Sequence, residues 1–115
     1  MTLLTNEQRA RLLANGKAMA QDDISTSVEP VVKLFTPDAG ATWLLAWLEP
    51  EDPDVAFGLC CLGLGSPELG TVRLSELAAL RGRLGLPVER DLWFKPARSL
   101  SDYATAASAA GHIAA

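Results

Sequence analysis

At 115 residues, 49% hydrophobic and 21% charged, the chain matches one domain spanning 1–115, long enough to bury a core without a covalent staple. A formal charge of −4 at pH 7 favours solubility and speaks against wrapping a polyphosphate backbone. Two cysteines, one histidine and no apolar run of the ~18 residues that a membrane span needs leave no basis for a disulfide framework, a zinc site or a transmembrane helix.

The charge is uneven: residues 1–57 hold nine Asp/Glu against four Lys/Arg, residues 58–115 five against six. Met1 is followed by neither a basic region nor a long apolar run, so no secretory leader is expected. Thr5-Asn-Glu-Gln8 reads as a capping box opening a helix over Asn6–Ala20, with Leu12, Leu13 and Met19 as its apolar stripe. Gly16 costs such a helix about 1 kcal/mol relative to Ala and marks a place where it could end. The polar stretch Gln21–Glu29 before Pro30 reads as a loop.

Val31–Phe35 is a short strand and Thr36–Gly40 a turn. Ala41–Leu48 suits helix or strand, since Trp43 and Trp47 share a face in either period. Its shortness, the preceding Gly and the acidic stop Glu49-Pro-Glu-Asp-Pro-Asp54 favour a strand, paired as a hairpin with Val55–Leu62. Trp43, Trp47 and Phe57 are expected in the core. Gly63–Gly70 connects to a strand at Thr71–Leu74. Ser75 then caps a helix over Glu76–Arg81 with cations in its last turn, and Gly82 ends it. Glu89–Lys95 reads as an edge strand closed by Pro96. Leu100–Ala110 is a helix capped by Ser99 or Ser101 and stopped by Gly111, and residues 111–115 are expected to fray. Sequential strands with short links predict an α+β fold: an antiparallel meander of four to five strands covered by two to three helices.

Val31-Val-Lys-Leu-Phe-Thr-Pro-Asp-Ala-Gly-Ala-Thr-Trp-Leu-Leu45, Ala56-Phe-Gly-Leu-Cys60, Pro67-Glu-Leu-Gly70, Leu74-Ser-Glu-Leu77, Leu80-Arg-Gly82 and Val88-Glu-Arg-Asp-Leu92 together resemble the DUF2958 family from Leu3 to about Tyr103. The resemblance implies a small bacterial protein of plasmids and other mobile elements, and no established reaction. The family pattern commonly carries an acidic residue where this chain has Cys61, so any role of that carboxylate is absent or altered here.

The remaining residues offer little chemistry. Adjacent Cys60 and Cys61 point to opposite faces of a strand and read as apolar thiols, suited to a reducing cytoplasm. His112 sits in the tail, away from any nucleophile it could serve. Gly63-Leu-Gly65-Ser66 lacks the Gly-Lys-Ser/Thr ending and the following helix of a phosphate loop, and reads as turn glycines. Glu51, Asp52 and Asp54 read as a solvated loop. No metal and no cofactor is expected.

Glu68, the lone charge of an apolar turn, and Glu89, Arg90 and Asp91 beside Trp93 on the edge strand are the residues on which function can rest, with Arg81. Charges on an edge discourage strand addition, but Arg and Trp are also favoured anchors of a protein-binding rim. Arg73, Arg81, Arg83 and Arg90 lack the density and aromatic interleaving of a nucleic-acid site. The expectation is a non-enzymatic, cytoplasmic, protein-binding accessory protein of a mobile element, of the kind that inhibits a host defence system. An acidic surface imitating nucleic acid is one version of it. The rival is an enzyme using Glu68 with Glu89 or Asp91 as acid–base groups, which requires two of these carboxyls within ~10 Å in one cleft. A third reading is a dimer through the Trp93 edge.

Overall fold

The computed structural model describes residues 3–22 and 27–115. Its elements follow the expected order: α1 (Asn6–Asp22), β1 (Val32–Phe35), β2 (Thr42–Glu49), β3 (Asp52–Cys61), β4 (Glu68–Arg73), α2 (Leu74–Ala79), β5 (Glu89–Arg90) and α3 (Leu100–Ala110). The strands form one antiparallel sheet in the order β4-β3-β2-β1-β5, so the fold is α+β: a four-strand meander with β5 added beside β1. Of the loop expected over Gln21–Glu29, residues 23–26 lie outside the described residues, and Gln21 and Asp22 extend α1.

The sheet is buried on both faces at β2, which explains why Thr42–Glu49 shows no polar alternation. On one face Trp43, Leu45 and Leu48 pack with Leu4 and Leu12, Val32 and Leu34, and Leu74 and Leu77 of α2. On the other, Leu44, Ala46, Trp47 and Leu59 pack with Leu100, Tyr103 and Ala107 of α3. Each fully buried leucine contributes about 1.5–3 kcal/mol by leaving water.

Trp43 and Trp47 do not share a face, contrary to the period-2 reading. β2 pairs Leu45 with Gly58 and Trp47 with Phe57, so Ala46 is an extra residue. One extra residue reverses the parity of everything after it. Trp43 therefore points to α1 and α2, whereas Trp47 points to α3 and stacks on Phe57 with ring centroids 4.3 Å apart.

The capping box forms as expected: Gln8 N–H donates to Thr5 Oγ1 and Thr5 N–H to Gln8 Oε1, both at 3.0 Å. α1 does not end at Gly16. A Cβ there would overlap the carbonyl oxygen of Leu48, so the glycine is what lets the helix lie against β2. Gly58 does the same within the sheet, where a Cβ would overlap the Leu44 carbonyl oxygen beside the bulge.

The acidic hairpin turn is shorter than expected, because Asp52, Pro53 and Asp54 already belong to β3. Pro53 fits there because β2 pairs Asp52 and then Ala56, and β4 begins pairing at Val55, so its missing N–H breaks no rung. α2 starts at Leu74, and Ser75 does not cap it; Asp54 accepts from Ser75 N–H at 3.0 Å instead, reaching the helix start from β3. No basic residue lies in the last turn of α2, but Arg81 just beyond it donates to the carbonyls of Ala78 and Leu80 at 3.0 and 2.8 Å.

β5 is two residues long rather than seven. Asp91 N–H still donates to Lys33 O at 2.9 Å, but Asp91 Oδ1 accepts from Trp93 N–H at 2.9 Å and turns the chain. α3 is capped by Ser99, which accepts from Asp102 N–H, and stopped by Gly111 at φ 80°. Past Gly111, Ile113 packs against the α3-side core and Lys33 Nζ donates to the main-chain oxygen of Ala115 at 2.6 Å.

Candidate functional site

Four of the six residues singled out from the sequence gather at the β5 edge. Glu89, Arg90, Asp91 and Trp93 line one shallow depression of about 280 Å³ with Phe35 and Leu92. A second depression of about 330 Å³ shares Phe35 and Asp91 and adds Lys33 of β1 and the β1–β2 loop. Between them stands the ion pair of Lys33 Nζ with Asp91 Oδ2, 3.4 Å apart and mostly shielded from water. Arg90 Nη1 donates to Leu3 O at 3.1 Å, fastening the strand to the segment before α1. Trp93 stands out from this base 89% exposed, beside Leu92 at 70%.

Phe35, Leu92 and Lys33 belong to the same surface and were not among the residues singled out. Leu92 falls within the longer edge strand expected over Glu89–Lys95, to which the sequence assigns no face. The turn at Asp91 puts it outside.

Glu68 and Arg81 lie elsewhere. Glu68 opens β4 opposite Cys60, on the far edge of the sheet from β5. Four strand spacings of about 4.8 Å put it roughly 19 Å from Glu89 and Asp91, so Glu68 pairs with neither, whereas Glu89 and Asp91 line the same depression. Arg81 sits in the loop after α2, bridged to Pro87.

The arginines do not merge into a patch. Arg73, at the far end of β4 from Glu68, pairs with Asp52 at 3.2 Å and Asp54 at 3.6 Å. The Ser75 hydroxyl, donating to Asp54 at 2.7 Å, holds that carboxyl below its ordinary value of 3.8, with Ser75 N–H and Arg73 helping and desolvation opposing. Two acids of the expected solvated loop are thus committed to partners.

Both cysteines are free, with Cys61 buried and Cys60 half-buried, and burial pushes the Cys60 thiol up to about 11. A thiol so protonated is a poor nucleophile at neutral pH. Gly63 and Gly65 take φ of 83° and 85° in the turn between two strands, as turn glycines do. Among the described residues no three His, Cys, Asp or Glu side chains cluster as a metal-binding group, and no helix is long and apolar enough to cross a membrane.

A five-stranded antiparallel sheet with helices on both faces and a tryptophan thrust from its shorter edge defines a small α+β protein with a projecting contact surface. Its sequence from residue 3 to 114 matches the family described as "Protein of unknown function (DUF2958)", and the chain belongs to that family. Searches of curated proteins and of solved structures return no match.

Proposed function

We propose that this chain is a non-enzymatic, protein-binding accessory protein of a mobile element, acting in the cytoplasm as an inhibitor of a host defence system, with Trp93 at the β5 edge as its anchor. The carrying observation is the 89% exposure of a tryptophan on a turn that Asp91 fixes. An indole on a fixed turn has few torsions to lose on docking, and Trp is a preferred hot-spot residue. Arg90 and Glu89 beside it supply charge for orientation, and Phe35 supplies an apolar floor. The mobile-element setting expected of the family supports an accessory role, and the two unpaired cysteines suit a reducing compartment.

The test is capture from host lysate at low and high salt with the wild-type chain and with Trp93→Ala. One partner retained by the wild type and lost by the variant is the expected result. No partner at either salt, or the same partner on both chains, overturns the reading, as does turnover of any substrate by purified protein.

A further inference from the structure

Three loops meet at one end of the sheet: the β1–β2 loop in the middle, the β3–β4 loop on the β4 side, and the α2–β5 loop on the β5 side. The two outer loops carry the same tripeptide, Leu62-Gly63-Leu64 and Leu84-Gly85-Leu86, each with its glycine at positive φ, 83° and 82°. Each turns leucines to solvent: Leu64 is 82% exposed and Leu84 80%, with Leu62 and Leu86 also exposed.

The loops are braced. Asp38 of the middle loop accepts from the N–H groups of Leu84 and Leu86, at 2.6 and 3.2 Å. On the other side Gly40 and Gly63 pack backbone to backbone, so that a Cβ on Gly63 would lie 3.1 Å from the Gly40 carbonyl. Four exposed leucines are thus held in fixed loops at one end of a small domain, one pair on each side of the middle loop.

The charges at this end decide what covers it. Exposed Glu68 follows the Leu64 loop on the β4 side, whereas the β5 side carries exposed Arg81 and Arg83 against the half-buried Glu89, so the end is net positive on the β5 side and negative on the β4 side. Two copies meeting end to end about a two-fold axis normal to the sheet bring the β4 side of one over the β5 side of the other. Leucines then meet leucines twice, and Glu68 meets Arg83 twice. An axis lying in the sheet instead sets Glu68 against Glu68 and Arg83 against Arg83, which like-charge repulsion disfavours. The middle loop, which lies on the axis normal to the sheet, exposes Pro37, Ala39 and Gly40.

We infer that this chain forms an isologous dimer through the sheet end that carries Leu62, Leu64, Leu84 and Leu86, with Glu68 of each copy facing Arg83 of the other. The surface takes in Ala39 and Gly40 of the depression beside Lys33, and leaves the depression lined by Leu92 and Trp93 outside it.

Sedimentation equilibrium of the full chain from micromolar to millimolar concentration tests it. A dimer is expected, weakened about tenfold or more by Leu64→Asp and by Leu84→Asp. Glu68→Arg and Arg83→Glu should each weaken it, and the double variant should restore it. All these sites are exposed, so circular dichroism and melting temperature should stay near wild type and keep loss of assembly distinct from loss of fold. A monomer at every concentration overturns the inference. So does a dimer indifferent to both leucine changes, a charge swap that restores nothing, or a monomer whose 62–64 and 84–86 amides shift with phosphatidylserine vesicles.

Discussion

The side-chain amide of Asn15, midway along α1, donates at 2.9 Å to the carbonyl oxygen of Ala46, the residue that β2 inserts beyond its pairing with β3. The bulge frees that carbonyl, and a helix residue supplies the missing donor. Asn is otherwise an indifferent choice inside a helix. The bond therefore couples the seat of α1 to the register of the central hairpin. Asn15→Ala and Asn15→Leu both remove the donor and leave the carbonyl of buried Ala46 without it. Each should cost about 1–3 kcal/mol in urea unfolding. An unchanged midpoint for Asn15→Ala would show that water serves the Ala46 carbonyl equally well.

Gly16, one residue on, makes an opposing pair of effects measurable. Alanine should gain about 1 kcal/mol from helix propensity alone. Its Cβ would overlap the Leu48 carbonyl, and main chain cannot yield as a flexible side chain can. The expected balance is a net loss of ~1–3 kcal/mol for Gly16→Ala, as in other overpacked sites. A stabilised variant would mean that α1 stands further from β2.

The same two residues show where reading along the chain stops. The capping box, the α3 cap and stop, the hairpin and the element order were legible because each depends on neighbours a few residues apart. Gly16 read as a local cost because its partner, Leu48, is remote in sequence. The face of Trp47 read wrongly because a bulge leaves no composition signal in an all-apolar strand. Ser75 looked like a helix cap, but the Asp54 carboxylate that serves that helix comes from another strand. At the candidate site the residue types at 89–93 were legible. The turn that exposes Leu92 and Trp93 was not, because it depends on Asp91 choosing Trp93 N–H over continued pairing.

The Asp54–Ser75 contact predicts an acid-dependent stability. The folded-state carboxyl titrates below its ordinary value of 3.8, chiefly because the Ser75 hydroxyl donates to it. Its stabilisation is present above that value and is lost as pH falls through the lower folded-state value. Ser75→Ala removes the largest cause. The melting-temperature gap between wild type and Ser75→Ala should be widest near neutral pH and should narrow below about pH 4. A gap constant from neutrality to about pH 2 would place the role of Ser75 in packing rather than in the charge of Asp54.

Asp91 divides its two oxygens between separate tasks: Oδ1 accepts from Trp93 N–H and Oδ2 pairs with Lys33 Nζ. Asp91→Asn keeps an acceptor for the turn and gives up the ion pair; Asp91→Ala gives up both. Trp43 and Trp47 are buried, so the iodide-quenchable tryptophan fluorescence belongs to Trp93. If the Oδ1 bond fixes the indole's support, the anisotropy of that quenchable fraction should fall in Asp91→Ala and hold in Asp91→Asn. Stability should drop in both variants by roughly 1 kcal/mol, because the pair with Lys33 is lost in each. Equal anisotropy in all three chains would mean that packing, not this turn, presents Trp93, and would leave Asp91 with only its tie to β1.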